Sequence, residues 1–314
     1  MKSASVIIPS YKSKDTIIPV VSAVMGQETD VPFEVIVVES SNDGTAEMVR
    51  ERFPEVKVIA SKERLLGGAA RNIGADEASG ELIYNLDADC IPEKDWLERM
   101  WQAHQDWDCA AVGGSLINGN PESLSSIACY IQESSDFYPS GRPRYMDNLG
   151  SGNVSYKADI YRKHNGFDAD AVAYVDVLFH RRLHNAGEKL LFMPNIKVAH
   201  FHRTTLGDYL RHMRKRGRAS VNARRKGLLP GASLARNPLI ALLAAPILFA
   251  RKGIVYPFRA FKAFPSESFR LALALPCFYL GLAAWHYGFL AEVLVPPINR
   301  GASRSVGTPR KDGH

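Results

Sequence analysis

From Met1 to about His200, short apolar blocks alternate with longer stretches in which apolar residues recur at helical spacing. Blocks too short for a helix and rich in Val and Ile read as buried strands, and the stretches between them as amphipathic helices. The pattern predicts strands at Val6–Ile8, Phe33–Val38, Val56–Ala60 and Leu82–Leu86. It predicts helices from Asp15, as cap, to about Gln27, and from the Asn42–Thr45 turn to about Phe53. Two more are expected from Gly67 to Ala78 and from Glu93 to Trp107. This alternation implies an α/β fold with a parallel sheet covered on both faces, and ligands held at the carboxyl ends of the strands. Pro9–Tyr11, Glu39–Asp43 and Asp87–Asp89 all fall at such ends.

The pattern changes at Asn237. Pro238–Ala250 is almost wholly apolar, but its 13 residues at ~1.5 Å each reach only about 20 Å, short of a ~30 Å hydrocarbon core. Arg251, Lys252, Arg259 and Lys262 follow, mixed with Tyr256, Phe258, Phe261 and Phe264, which suits an anionic membrane face. Leu271–Ala291 contains no acid, Lys or Arg, and carries Trp285 and Tyr287, residues suited to an interface. A hairpin or re-entrant insertion is expected rather than a simple span. The alternative is a helical pair packed on the soluble part or on a second subunit. The chain thus divides into 1–226, a membrane-associated helical region over 227–300, and a polar tail over 301–314 expected to be disordered.

Charge sharpens this picture. The net charge is +6, but between Arg203 and Lys226 the only acid is Asp208. Such a patch attracts anionic lipid or a phosphorylated substrate. Aromatics are not interleaved with these bases as a base-stacking surface requires, so no nucleic acid is expected. Cys90, Cys109, Cys129 and Cys277 form no C-x-x-C pair, which argues against a zinc or disulfide framework and fits a reducing compartment. The N-terminus enters a strand without a signal-peptide core, so the front part is expected at the cytoplasmic face of a membrane.

The candidate chemistry begins at Asp87-Ala-Asp89, after the Leu82–Leu86 strand. Two carboxylates one residue apart share a strand face, and desolvating both without a cation is costly. They suit Mg²⁺ or Mn²⁺ that takes its remaining ligands from a diphosphate. His200 and His202 likewise alternate along an extended segment ahead of Arg203, where one imidazole would complete a metal shell or meet the diphosphate. From residue chemistry alone, Asp176 is a helix cap or a surface charge.

Taken in order, Ser5–Tyr11 (SVIIPSY), Val35–Thr45 (VIVVESSNDGT), Ala70–Gly74 (ARNIG) and Asp87–Asp89 resemble glycosyltransferase family 2 over roughly the first 220 residues. The resemblance implies a GT-A type, Rossmann-like nucleotide-binding sheet, with the C-terminal apolar helices appended. It also implies a metal-dependent, inverting transfer of a sugar from a nucleotide-sugar donor, UDP being the expected nucleotide, to a hydroxyl of a glycan or lipid-linked acceptor. Carried over, Pro9, Tyr11, Glu39 and Asp43 lie on the nucleotide side, although Glu39-Ser-Ser is one residue shorter than the family's usual turn. Arg71 flanks the diphosphate, Asp87 meets ribose or metal, and Asp89 holds the metal. Gly152 and Asn153 fall on the acceptor side, and Asp176 becomes the base, with Val175 where the family usually has Glu. The Gln-x-x-Arg-Trp motif of processive synthases is absent from the sequence. Two alternatives stand beside this: a non-catalytic membrane partner that binds the donor, and a sugar nucleotidyltransferase, whose Gly-rich signature after the first strand is missing.

Overall fold

The computed structural model of the chain describes residues 3–295. The 301–314 tail and the end of the 227–300 region lie outside them. Strands β1 (Ala4–Ser10), β2 (Phe33–Glu39), β3 (Lys57–Ala60) and β4 (Leu82–Leu86) alternate with α1 (Ile17–Met25), α2 (Thr45–Arg52) and α3 (Gly67–Asp76). The strands pair in parallel in the order β3-β2-β1-β4. Strand periodicity explains why both faces are covered. Val6, Ile8, Val35, Val37, Tyr84 and Leu86 enter one core, beneath α1 and α2, while Ile7, Ile36, Val38 and Ile83 enter the other, beneath α3. Helix α1 begins two residues beyond Asp15, and Thr16 takes the cap position without a side-chain hydrogen bond.

The sheet is not parallel throughout, contrary to the reading from periodicity. After β4 come β5 (Cys90–Pro92), α4 (Trp96–Asp106), β6 (Ala111–Asn118), α5 (Leu124–Glu133) and β7 (Arg144–Tyr145). Then follow β8 (Asn153–Lys157), α6 (Ala158–Lys163), α7 (Val175–Asn185) and β9 (Leu190–His200). Strand β8 lies antiparallel between β4 and β6; β6 runs parallel to β9, which takes β5 and β7 antiparallel. Periodicity reports that a strand is buried on both faces and not which way it runs. The helix expected from Glu93 starts at Trp96 because Cys90–Pro92 is used in pairing with β9.

The last elements, α8 (Leu206–Arg225), α9 (Ala232–Arg236), α10 (Pro238–Ala263) and α11 (Ser268–Leu294), build a third core with α5 around Tyr209, Met213, Phe278, Leu282 and Trp285. The helix begun by the apolar block Pro238–Ala250 does not end with it. Asn237 caps α10 through the amides of Leu239 and Ile240, and the helix continues through Arg251 and Lys252, both good helix formers. Its 26 residues extend about 39 Å. Both α10 and the α11 segment are long and apolar enough, by length and composition, to cross a membrane. Helix α11 lies tightly along α8: a Cβ on Gly217 would overlap the Trp285 carbonyl oxygen, and only glycine permits that approach.

Candidate active site

A cavity of about 500 Å³ opens at the carboxyl ends of β1 and β4 and brings together Pro9, Tyr11, Arg71, Asp87, Asp89 and Arg203. Tyr11 presents its ring to the Arg64 guanidinium, 4.6 Å from the centroid. Helix α3 enters from the far side with Gly67 on the cavity wall and no side chain capping its first turn, so its N-terminal amides are available to an anion. Arg71, only 4% exposed, forms an ion pair with Asp87 Oδ1 and stacks on Phe167, 5.5 Å from ring centroid to guanidinium. Gly152 presses on the other oxygen of the same carboxylate. A Cβ there would sit 2.5 Å from Asp87 Oδ2, so the loop entering β8 fits only without a side chain.

Asp89 follows β4, and His200 ends β9, the strand that β5 pairs with; pairing brings His200 Nε2 to 3.4 Å from Asp89 Oδ1. Burial raises the Asp89 pKa, but the His200 charge and hydrogen bond and the Arg203 charge outweigh it and leave the carboxyl below its ordinary value. His200 shows the mirror image: burial lowers it, and Asp89 more than restores the proton. His202, buried at a centroid distance of 4.3 Å from His200, is pushed down to about 3 by burial and by that neighbouring charge. Neither of its ring nitrogens has a hydrogen-bond partner among the described residues.

Ligand atoms of Asp89, Cys90 and His200 lie within 4.8 Å of one another. Burial raises the Cys90 thiol well above its usual range, which leaves a carboxylate and an imidazole as the donor set. With Asp87 alongside, that oxygen-and-nitrogen set suits Mn²⁺ or Mg²⁺ with positions left for a diphosphate, and His200 Nδ1, buried without a partner, is free of competing structural duty.

Three residues from the sequence reading are used otherwise. Glu39 is buried, accepting from Ser10 Oγ and from the Ser41 amide at 2.5 Å, and lies behind the cavity wall. Asp43 accepts from the Thr45 amide and hydroxyl at 3.1 and 2.6 Å, which ties down the start of α2. Asn153, expected on the acceptor side, is fully buried; its amide bonds Ser115 O and Trp96 Nε1, each at 2.8 Å. The antiparallel insertion of β8 turns it into the core, a direction the sequence pattern did not reveal.

Asp176 lines a second cavity, of about 720 Å³, between α7 and the helices α5, α8, α10 and α11. Tyr174, just before it, has a left-handed backbone (φ 61°), a strained conformation that launches α7. Burial raises the Asp176 pKa, opposed by the Val177 amide and by the Arg216 and Arg71 charges. The walls of the two cavities come together at two points. Ser151 lines the second while its neighbour Gly152 touches Asp87 in the first, and Glu133 of the second lies 3.8 Å from His202 of the first.

Glu133, Arg216 and the Arg64–Tyr11 pair were not found from the sequence. Glu133 takes His212 Nε2 at 2.8 Å and Arg216 at 3.1 Å; burial alone would raise its pKa, but these two cations hold it well below the carboxylate range. No signal in the sequence singles out Glu133 or Arg216; the run of bases after Arg203 marks only a basic patch.

Comparison with known proteins gives a consistent result. The glycosyl transferase family 2 profile matches residues 5–159. Glycosyltransferase AglE of Haloferax volcanii is 26% identical over 228 residues, spanning 69% of this chain and 72% of its own. Glucosyl-dolichyl phosphate glucuronosyltransferase of the same organism is 23% identical over 221 residues, 62% of this chain and 68% of its own. Among solved structures, the mannosyltransferase PcManGT from Pyrobaculum calidifontis, in complex with GDP-Man and Mn²⁺, shares the fold. Its TM-score is 0.58 at 20% identity, covering 91% of this chain and 86% of that one.

Proposed function

The chain belongs to glycosyl transferase family 2 through residues 5–159, and from that premise we propose that it moves a sugar, with inversion, from a nucleoside diphosphate sugar to a hydroxyl of a lipid-linked acceptor at a membrane surface. The observation that carries the reading is the meeting of Asp87, Asp89, Arg71 and Arg203 in one strand-end cavity, with His200 against Asp89. Pro9 and Tyr11 take the nucleoside end. Arg71 and the open amides of α3 face the diphosphate. Asp89 and His200, beside Asp87, hold the divalent ion, which supplies charge neutralisation on the departing diphosphate when bound. Asp176 accepts the proton of the attacking hydroxyl; its pKa, raised by burial against the opposing Val177 amide and the Arg216 and Arg71 charges, makes it a better proton acceptor than an ordinary carboxylate.

The membrane assignment rests on α10 and α11. Leu243, Ile247 and Ile254 on α10 and Phe269 and Leu280 on α11 are exposed, an apolar surface with no protein partner among the described residues. Helix α11 is fixed along α8, which carries Arg211, Arg214, Lys215 and Arg218. A span by α11 would draw those charges into hydrocarbon, so the pair lies in the interface. The name of the H. volcanii relative that acts on a glucosyl-dolichyl phosphate supports a lipid-linked acceptor.

The test is nucleoside diphosphate release by detergent-purified protein from a panel of UDP-, GDP- and dTDP-sugars, with and without Mn²⁺. Release from one donor only with metal is expected. Folded protein that releases nothing from any donor would refute the assignment.

A further inference from the structure

The second cavity is lined by more positive charge than its own acids neutralise. Lys215, Arg216, Arg224 and Lys252 face it from α8 and α10. Of these, Arg216 alone has a carboxylate within ion-pair distance among the described residues, Glu133 at 3.1 Å. Arg224 donates to the Ser220 carbonyl at 3.2 Å and to its hydroxyl, while its Nε is buried with no partner among the described residues. The Lys252 ammonium stands 3.5 Å from the Trp285 ring centroid, half-buried and without an acid. The acids of the cavity are otherwise engaged. Glu133 holds His212 and Arg216, Asp136 holds Arg259, and Asp176 lines the same cavity as the proposed base. Cations crowded in a concave, partly desolvated wall repel one another, and the arrangement is relieved by a polyanionic guest.

We infer that this cavity is a second anion site, distinct from the donor cavity, in which Arg224 and Lys252 bind the phosphate or diphosphate that joins the acceptor to its lipid. Held there, the acceptor's sugar points toward Asp176, which lines the same cavity. The word acceptor rests on the transferase reading above; the anion site rests on the unmatched charges alone.

The test titrates full-length protein in neutral detergent with EDTA present, which removes metal-bridged binding at Asp89. Trp285 fluorescence reports the site through its contact with Lys252. The probes are farnesyl phosphate, farnesol and inorganic phosphate. Farnesyl phosphate is expected to bind at least about tenfold more tightly than either of the others. Lys252→Met and Arg224→Gln should each weaken it by about tenfold, and Lys252→Arg should keep it, since the charge is retained. Thermal stabilisation by nucleoside diphosphate with Mn²⁺ should be the same in every variant, which also shows that each is folded. Equal binding of farnesol would make the cavity merely apolar. Equal binding of inorganic phosphate would make it a site for free phosphate. Unchanged affinity in both charge-removing variants would place the anion elsewhere; each of these results overturns the inference. Donor-dependent release is read separately, and its absence counts against the transferase assignment without touching the anion site.

Discussion

At the scale of single residues, the site is built by pairing charges that the fold forces together. Asp87 is fixed between Arg71 and the bare backbone of Gly152, and Asp89 is set against His200 by the pairing of β5 with β9. Asp176 is the exception, a carboxylate whose pKa is raised because burial outweighs its amide and arginine partners. The sign of the linkage follows. The native state binds this proton more tightly than the unfolded chain does, so ionising Asp176 costs stability as pH rises from the ordinary carboxylate range through the raised value. Asp176→Asn is therefore expected to keep or increase the melting temperature at neutral pH while kcat falls about 10²–10⁴-fold with donor KM unchanged. In the wild type the acid limb of kcat/KM, which reports the free enzyme, should lie above the ordinary carboxylate range. Steady-state kinetics over pH and a thermal melt of the variant check both. The Asp-x-Asp pair was legible because period-two spacing and the strand before it needed no tertiary information. Asn153 was not, because which side of the sheet it faces depends on the antiparallel insertion of β8.

Among the elements, β1 to β4 and the helices between them followed from apolar blocks and turn residues, with ends displaced by a few positions. Direction and length were harder. The reversed β8 and the continuation of α10 past Arg251 both depend on partners distant in sequence. The packing of α11 on α8 belongs to the same class, since it depends on glycines such as Gly217 that look unremarkable within the basic run of α8. Gly217→Val should separate the two helices and lower stability by about 1–3 kcal/mol, the usual cost of overpacking. A thermal or urea melt measures it, and an unchanged midpoint would mean that α11 is not held as described.

Taken as a whole, the molecule joins a GT-A type sheet to a helical platform, with the walls of the two cavities adjacent along the Ser151–Gly152 loop. In the membrane attachment proposed above, the platform's exposed leucines and isoleucines act as a surface rather than as a span. Leu243→Glu combined with Ile247→Glu, both on an exposed face, should leave the melting temperature unchanged and reduce co-sedimentation with phosphatidylglycerol vesicles several-fold. Unaltered vesicle binding would assign that face another role. The central claim is that the cavity at the ends of β1 and β4 is a metal-dependent donor site. Its most direct test is a Mn²⁺ titration followed by electron paramagnetic resonance, with UDP or GDP present, on wild type and Asp89→Asn. The account predicts one nucleotide-dependent Mn²⁺ per chain in the wild type and its loss in Asp89→Asn; equal Mn²⁺ binding in both proteins, or none in either, would contradict it.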